Sequence, residues 1–325
     1  MVTLPLTFRA VSEGGDDDTF GERFKAVWPA YQAWFLQDGD AARPSYVAAR
    51  AALREHLPEL VPTWERLCRL AGGGDTASRV LAHWCPPPHL AGCTQAVVRR
   101  GAPILVRNYD YDVRSFDATI LSTDYAGRRV LGTGDCIWGL LDGLNENGLA
   151  ATLTFGGSRE VGTGFGISIV MRYLLETCTT VAEALAVLDR VPVHMAYNVT
   201  VLDAAGASAT AFIGPGHPPL HVDRPVVTNH QEDRATEQYA KLSHSRDREV
   251  AVRAVLEAPG DEERAIRAFL EPPTYNRHFD HSFGTLYTAV MRPAEGCIDY
   301  HWPDARWRQS FAAFDPAERT VELHT

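Results

Sequence analysis

The spacing of hydrophobic residues changes at Pro86-Pro87-Pro88, and this change restricts the chain to folds that combine helices with sheets. Before the prolines, apolar side chains recur at helical intervals. After them, short apolar and alternating runs separated by turn residues indicate strands, interrupted by a helical stretch over 167–190. Runs of strands with helices between them predict an α+β protein in which sheets pack together and helices cover them.

The first part of the chain predicts three helices. Thr19 and Glu22 have the spacing of a capping box, and the helix that they start is expected to end at Pro29. A second helix is predicted over 45–57, and a third runs from Pro62 to the glycines at 72–74.

The rest of the chain predicts ten strands and further helices. The predicted strands are 94–98, 104–108, 118–123, 137–141, 149–155, 197–202, 209–213, 225–228, 285–291 and 297–301. Three more helices are predicted over 232–242, 247–256 and 261–270. Within 167–190, Thr180 and Glu183 form a second capping-box pattern that restarts the helix.

Composition and charge exclude several kinds of partner. The chain has 325 residues, 45% of them hydrophobic, and a net charge of −10. An acidic surface argues against nucleic acid, because phosphate recognition needs clustered Lys and Arg. No apolar run approaches the roughly 20 residues of a spanning helix, and residues 1–18 are acidic where a signal peptide would be basic. We therefore predict a cytoplasmic protein with no membrane partner.

The cysteines do not form a disulfide or zinc-ribbon pattern. The six are Cys68, Cys85, Cys93, Cys136, Cys178 and Cys297, with no CxxC pair among them. They are expected to be reduced, and most of them should be ordinary core residues because free cysteine is among the most buried residue types.

Cys93 is the exception, because it follows Gly92 at the start of the strand-rich part. By itself such a pair would more often be a buried, inert thiol. If the bond between the two residues is cleaved, however, Cys93 gains a free α-amine, which titrates at about 7.7 to 8.0 and can accept the thiol proton. Nucleophile and base then belong to one residue. Gly92 suits the cleaved position because it lacks a side chain and tolerates a strained backbone.

The segments around this pair favour the catalytic interpretation. They are Gly92-Cys93-Thr94, Arg107-Asn108-Tyr109-Asp110, Asn145-Glu146-Asn147-Gly148-Leu149, Val227-Thr228-Asn229 and Gly284-Thr285-Leu286-Tyr287-Thr288. In this order the chain resembles the acyl-coenzyme A:6-aminopenicillanic acid acyltransferase family of cysteine Ntn hydrolases, and more distantly the choloylglycine hydrolases and penicillin V acylases. The resemblance implies a four-layer αββα sandwich. It also implies a helical N-terminal pro-segment, or α subunit, over 1–92 and a β subunit over 93–325.

The resemblance also implies roles for individual residues. Cys93 would be the nucleophile, and Asp110 would hydrogen-bond the new amine and orient it. Asn229 would supply its side-chain amide to an oxyanion hole. Arg107 stands where the bile-salt branch has an arginine and the acyltransferase branch has another residue. A second oxyanion donor would fall near Thr154.

Two assignments stay open from the sequence. The family tends to have an arginine on the helix after Asn229, and Arg246, Arg248 and Arg253 compete for that position. Each proposed residue also has a structural alternative: Arg107 with Asp110 as an ion pair, Asn229 as a strand end, and Asn145 and Asn147 as turn residues.

The function implied is a self-cleaving zymogen that becomes an amidohydrolase or acyltransferase acting on amide or thioester acyl groups. Water or an amine would resolve the Cys93 acyl-enzyme, and the sequence does not decide between them. No cofactor is expected, although a coenzyme A thioester is open as an acyl donor. The partner expected is a small-molecule acyl substrate. The cleaved chains should stay together as an αβ heterodimer, with a higher oligomer left open.

Two other classes of function compete with this one. The first is a binding protein that keeps the fold but has an inert Cys93. The second is a zinc protein that uses His83, Cys85 and His89, although this spacing does not match the usual structural sets. A lipase-type serine enzyme is excluded because the chain has no G-x-S-x-G segment.

Overall fold

A computed structural model describes residues 3–14, 18–232, 236–279 and 283–324. The helices are α1 (Thr19–Phe35), α2 (Tyr46–His56), α3 (Val61–Leu70), α4 (Asp75–Ala82), α5 (Ile167–Thr177), α6 (Val181–Arg190), α7 (Glu237–Leu242), α8 (Ser245–Glu257) and α9 (Glu262–Arg267). The strands are β1 (Thr3–Gly14), β2 (Gly92–Val98), β3 (Ile104–Tyr111), β4 (Thr119–Asp124), β5 (Arg129–Asp135), β6 (Gly139–Asn145), β7 (Leu149–Phe155), β8 (Tyr197–Asp203), β9 (Ser208–Ile213), β10 (Leu220–Val222), β11 (Val226–Val227), β12 (Arg277–His278), β13 (Phe283–Arg292), β14 (Cys297–Trp302), β15 (Ala305–Ser310) and β16 (Glu318–His324).

Two β-sheets organise these strands. The first sheet has the order β10-β9-β8-β7-β6-β5-β4-β1-β16. The second has the order β11-β2-β3-β13-β14-β15, and β12 pairs with β13 at its side. In the described part of the chain, β1 and β4 pair in parallel and the other strand pairs are antiparallel.

Three apolar clusters separate four layers. One contains side chains of α1–α6 and of the outer face of the first sheet. The second contains side chains of both sheets, with Phe8, Leu131, Tyr287 and Trp302 among its buried members. The third lies between the second sheet and helices α8 and α9, with Val252 and Phe269 in it. Alternate residues along each strand face different clusters because side chains alternate across a sheet. The architecture is the predicted αββα sandwich.

The N-terminal segment is not purely helical, and this part of the prediction is wrong. Residues 3–14 form β1, which pairs with β16 on one side and β4 on the other. Its alternate residues Leu6, Phe8 and Ala10 are buried against the second sheet, which explains why the segment is extended. The segment over 1–92 therefore contributes a strand to the interior of the first sheet as well as four helices within its described residues.

Several helix boundaries differ from the prediction. Helix α1 begins after Asp18 without a side-chain cap, and it continues through Pro29 to Phe35. Buried Phe24 and Phe35 lie on either side of that proline, so packing outweighs the lost hydrogen bond. The stretch 167–190 is two helices, and the predicted capping box at Thr180 is present at the start of the second. Of the helix predicted over 232–242, residues 237–242 are helical and 233–235 lie outside the described residues.

The strands were predicted more closely than the helices. Strand β7 has the predicted limits, and most other strands begin or end within a few residues of theirs. The pattern missed α4, the short strands β10 and β12, and β1, β5, β15 and β16. Among the described residues, no helix has the length and hydrophobicity that crossing a bilayer requires.

Candidate active site

Strand β2 begins at the junction between Gly92 and Cys93. It lies between β11 and β3, with Gly92 opposite Asp110 and Cys93 opposite Tyr109. Side chains alternate along the strand, so Cys93 faces the space between the sheets while Thr94 faces helix α8. The junction therefore lies at a strand end, where groups from both faces of the second sheet can approach it.

The Cys93 thiol is fully buried and contacts one cationic side chain. Arg107 follows on the same face of the sheet, and its Nη2 lies 3.3 Å from Cys93 Sγ. Burial raises the pKa of the Cys93 thiol and the nearby Asp110 raises it further, whereas Arg107 and Arg248 act in the opposite direction. In the uncut chain, burial therefore keeps the thiol protonated, and a thiolate would have to be generated by a base close to it.

Arg107 is held in place by groups from both sheets. Its Nε donates to the carbonyl of Leu153 at 2.8 Å, and its Nη1 donates to Asp142 at 2.6 Å and to Tyr287 Oη at 3.0 Å. The Tyr287 hydroxyl also donates to Asp142, at 2.6 Å. Asp142 is completely buried, as is the guanidinium, so this ion pair is fully desolvated. The network fixes the remaining Nη2 in the direction of the thiol.

Asp110 lies on the opposite face of β3 from Arg107, so the two do not form the ion pair considered as an alternative. Its Oδ1 accepts from Thr285 Oγ1 at 2.7 Å, and its Oδ2 lies 3.4 Å from Arg248 Nη1. Burial raises the pKa of the Asp110 carboxyl, and Arg248, Thr285 and Arg107 each lower it. The expected contact with the Cys93 nitrogen is not present in the uncut chain.

Arg248 is the arginine of helix α8 that reaches the junction. Its Nη1 donates to the carbonyl of Cys93 at 2.6 Å and to Thr94 Oγ1 at 2.7 Å, and its Nη2 donates to Asn229 Oδ1 at 2.7 Å. The other two candidates pair elsewhere, Arg246 with Glu237 and Arg253 with Glu249. The structure thus resolves a choice that the sequence left open.

Asn229 follows β11 and contacts the Cys93 main chain. Its Oδ1 accepts from the Cys93 nitrogen at 2.9 Å. Its Nδ2 donates to the carbonyls of Phe155, at 3.0 Å, and of Ala91, at 3.4 Å. The hydrogen-bond pattern determines this orientation of the amide, since both Oδ1 partners are donors and both Nδ2 partners are acceptors. Asn229 therefore contacts the junction in addition to following a strand end.

The residues before Cys93 are packed tightly. A methyl group on Gly92 would lie 2.5 Å from the ring of Phe283 and 3.0 Å from Asp110 Cβ. Tyr239 Oη donates to the carbonyl of Ala91 at 3.2 Å. Only glycine fits at position 92, which gives a steric reason for the residue in addition to backbone freedom.

Other residues singled out by the sequence have structural roles. Thr154 Oγ1 donates to the carbonyl of Thr228 at 2.9 Å. In the uncut chain this hydroxyl is therefore not directed at an oxyanion. Asn145 donates to the carbonyls of Leu175 and Cys178 and accepts from the following turn, so it is a turn residue.

The zinc alternative has no site to support it. His83 Nδ1 lies 3.3 Å from Ser168 Oγ, and the ring of His89 lies beside that of His194. Within the described residues, no group of His, Cys, Asp and Glu side chains, including His83, Cys85 and His89, has the geometry to hold a metal ion.

The structure brings the four predicted residues, Cys93, Arg107, Asp110 and Asn229, to one end of β2. It adds Arg248, and it shows supporting roles for Asp142, Tyr287 and Thr285. The last two belong to a segment that the sequence had indicated without assigning roles. Asp142 lies just beyond the predicted limit of its strand, and no sequence signal distinguished it.

The four-layer fold is similar to that of several solved structures. Among solved structures, a mutant of the conjugated bile acid hydrolase from Clostridium perfringens matches with a TM-score of 0.50 and 14% identity, covering 70% of this chain and 96% of that one. Penicillin V acylase from Agrobacterium tumefaciens has a TM-score of 0.49 and 17% identity, covering 70% and 90%. The Caenorhabditis elegans ortholog of N-acylethanolamine-hydrolyzing acid amidase has a TM-score of 0.48 and 17% identity, covering 66% and 99%.

The family follows from a match in sequence. Residues 97–307, well over half of the chain, match the model of the acyl-coenzyme A:6-aminopenicillanic acid acyl-transferase family. The chain belongs to that family, and its general chemistry is therefore that of an amide hydrolase or acyltransferase with the Ntn fold. No curated protein matches it in sequence.

Proposed function

We propose that the protein cleaves its own chain between Gly92 and Cys93 and then uses Cys93 to transfer or hydrolyse acyl groups. The observation that carries the proposal is the set of contacts at the start of β2: the Cys93 thiol contacts Arg107, its nitrogen contacts Asn229, and its carbonyl contacts Arg248. A cysteine that only fills space in the core does not need polar contacts at its sulfur, nitrogen and carbonyl, so these three contacts support a catalytic role.

Maturation begins when Cys93 Sγ attacks the carbonyl carbon of Gly92. The C–N bond breaks as the C–S bond forms, and the thiol proton passes to the Cys93 nitrogen. Water then hydrolyses the thioester, which releases the carboxylate of Gly92 and restores the thiol. Asn229 Oδ1, 2.9 Å from that nitrogen, is placed to keep the new amine in position.

Turnover uses the same atoms. The free α-amine takes the thiol proton, the sulfur attacks the substrate carbonyl, and the protonated amine gives its proton to the leaving group. Departure of Ala91 would free Asn229 Nδ2 for the substrate oxygen, because this amide donates to the Ala91 carbonyl in the uncut chain. Arg107, close to Sγ, favours the thiolate. Water or an acceptor amine completes the cycle, and coenzyme A thioesters are included as donors.

Cys93→Ala tests the proposal directly. The wild-type protein should separate on a denaturing gel into chains 1–92 and 93–325, and intact-mass measurement should find a free Cys93 amine. Cys93→Ala should stay whole and should not turn over any N-acyl amide. Cys297→Ala is the matched control, because Cys297 is a buried thiol at the far end of the second sheet, and it should be cut normally. Activity in an uncut wild-type chain would contradict the mechanism.

A further inference from the structure

A partly open cavity of about 230 Å³ adjoins the face of the second sheet that carries the Cys93 thiol. Its walls include Tyr31 and Trp34 of α1, Tyr109 and Tyr111 of β3, and Phe116. Tyr109 is the strand neighbour of Cys93, and its ring lies 4.7 Å from the guanidinium carbon of Arg107. The cavity is thus lined by aromatic rings, and one of them belongs to the residue that pairs with Cys93 in the sheet.

Two carboxylates also line this cavity, Asp117 and Asp135. Asp117 accepts a hydrogen bond from Tyr31 Oη at 2.6 Å, and Asp135 lies 3.3 Å from Cys136 Sγ. Burial raises the pKa of both carboxyls to about 6, and the neighbouring Asp135 adds to the effect on Asp117. Both are therefore largely ionised at neutral pH and leave negative charge beside the aromatic walls.

The cations around the cavity are bonded to other acids. Arg23 pairs with Glu13 at 2.5 Å, Arg107 pairs with Asp142 at 2.6 Å, and Arg114 at the mouth pairs with Asp112 at 2.7 Å. Burial lowers the pKa of His89, which also lines the cavity, to about 4, so this ring is neutral. The charges of Arg23 and Arg107 lower the pKa of Asp117 and of Asp135, respectively, but each of these arginines already pairs with another carboxylate. The cavity therefore carries an excess of negative charge.

Two buried polar atoms at the cavity also lack a hydrogen-bond partner among the described residues. One is Nδ1 of His89, which lines it, and the other is the hydroxyl of Tyr197, a residue only 2% exposed. The Tyr197 hydroxyl lies close enough to Asp135, Cys136 and Tyr111, which all line the cavity, for their charges to act on it. Buried polar groups normally have partners, and a bound molecule would supply them.

We propose that this cavity binds an ammonium group of the substrate, so that the enzyme acts on N-acyl compounds with a cationic end. Aromatic faces with nearby carboxylates are the environment in which proteins bind alkylammonium ions. A purely apolar acyl chain would instead leave two desolvated carboxylates balanced only by arginines that are shared with Glu13 and Asp142. The proposal rests on the proposed function, because it assumes that Cys93 acts on what the cavity holds.

The test compares two chloroacetamides that differ only at the end of the N-substituent, where one has an ammonium and the other a methyl group. In the cut wild-type enzyme, the sulfur of Cys93 displaces chloride and its proton passes to the α-amine. Peptide mass mapping measures the alkylation rate at Cys93 separately from that at Cys136. We expect the ammonium reagent to react about tenfold faster or more, a ratio typical of one desolvated cation contact.

Asp135→Asn removes the charge and keeps the shape, so it should bring this ratio to within about threefold of one. Asp189→Asn, at the exposed end of α6, is the matched control and should preserve the preference. Equal rates in the wild type, or an unchanged preference in Asp135→Asn, would overturn the assignment.

A measurement on the wild type alone does not depend on whether a variant folds correctly. Pentylammonium should protect Cys93 of the wild type from the methyl reagent, whereas pentanol at the same concentration should not. Equal protection by both would count against an ammonium site.

Matched substrate pairs identify which end of the substrate is cationic. In the first pair, the acyl chain ends in an ammonium group in one substrate and in a methyl group in the other. In the second pair, the amine part of the substrate differs in the same way. A higher kcat/KM for the cationic member of either pair supports the proposal, and no preference in both pairs contradicts it.

If the chain is uncut, or Cys93 reacts with neither reagent, the proposed function itself fails. Equal reactivity of Cys93 with both reagents would reject the ammonium site alone.

Discussion

At the scale of single residues, the junction depends on groups that leave little room for substitution. Gly92 has no space for a side chain, and Cys93 is contacted at its sulfur, nitrogen and carbonyl by three different side chains. Cys93 is therefore held at all three points in the uncut chain. The proposed cleavage would change which groups are bonded around Cys93 more than where it lies.

Gly92→Ala should slow cleavage strongly, because its methyl group would lie 2.5 Å from the Phe283 ring and push the scissile carbonyl away from Sγ. The measurement is the rate at which the uncut chain disappears on denaturing gels after synthesis. Combining it with Phe283→Ala should restore much of that rate by making room. If Gly92→Ala is cut at the normal rate, the carbonyl is not held by this packing.

Arg248→Lys should reduce the rates of cleavage and of turnover by about a hundredfold, comparable to the loss of one preorganised donor. Lysine keeps the charge but cannot bond Cys93, Thr94 and Asn229 at once as the planar guanidinium does. Arg246→Lys on the same helix is the control and should behave as the wild type, since Arg246 is exposed and pairs with Glu237. Equal effects of the two changes would show that the contacts of Arg248 with the junction do not set these rates.

At the residue level, the structure brings Cys93, Arg107, Asp110 and Asn229 together at the junction, and their catalytic roles stay predictions. The assumed contact of Asp110 with the Cys93 nitrogen is replaced in the uncut chain by the Oδ1 of Asn229. This detail depends on which face of β3 each side chain occupies and on the loop after β11, and neither is encoded in a local pattern.

At the scale of elements, helix α5 crosses the outer face of the first sheet and buries an ion pair there. Arg172 Nη1 lies 3.3 Å from Glu176 Oε1, and both side chains are almost completely buried. Burial raises the pKa of Glu176 from 4.5 to about 7 despite the opposing charge of Arg172. Ionised Glu176 is therefore a cost to the folded state near neutral pH.

This shift has a defined pH dependence. The folded state binds the Glu176 proton more tightly than the unfolded state, so the stabilising contribution is full below pH 4.5 and is lost as the pH rises to about 7. Glu176→Gln should remove that loss, giving a flatter plot of unfolding free energy against pH across this window. Urea unfolding at several pH values measures it, and Glu183→Gln on the exposed start of α6 is the control. A Gln variant with the wild-type slope would show that Glu176 does not titrate there.

The elements show which local signals are reliable. The capping box at Thr180 started a helix as predicted, because both of its reciprocal hydrogen bonds form. Helix α1 also begins at Thr19, but Asp18 occupies the N-cap position and no side-chain cap is made, so the predicted capping box is not what starts it. Strand β1 was missed although Leu4, Leu6, Phe8 and Ala10 alternate in the sequence, because the partners that stabilise it are more than a hundred residues away in sequence.

At the scale of the whole molecule, β1 ties the two proposed products of cleavage together. It pairs with β4 and β16, which both lie after Cys93, and it buries Phe8 between the sheets. Helices α1–α4 add a large apolar contact with the outer face of the first sheet. Chain 1–92 is therefore an integral part of the sandwich rather than a detachable cover.

Cut protein should accordingly migrate as one species on native size exclusion while giving two bands on a denaturing gel. Phe8→Ala should destabilise the fold by about 3–5 kcal/mol, the usual cost of emptying a buried phenylalanine site. Denaturant unfolding measures the change, and Thr7→Ala, on the exposed face of the same strand, should cost far less. Separation of the chains under native conditions would contradict this view.

The sequence by itself determined the class of fold and singled out Cys93 as the candidate nucleophile. Hydrophobic periodicity and the order of short segments are local properties, and they can be recognised before the chain folds. Tertiary structure alone decided that Arg248 reaches Cys93, that Asp142 holds Arg107, and that residues 3–14 complete the first sheet. These outcomes depend on contacts between distant segments across two packed sheets, where burial and register select one partner among several that are equivalent in sequence.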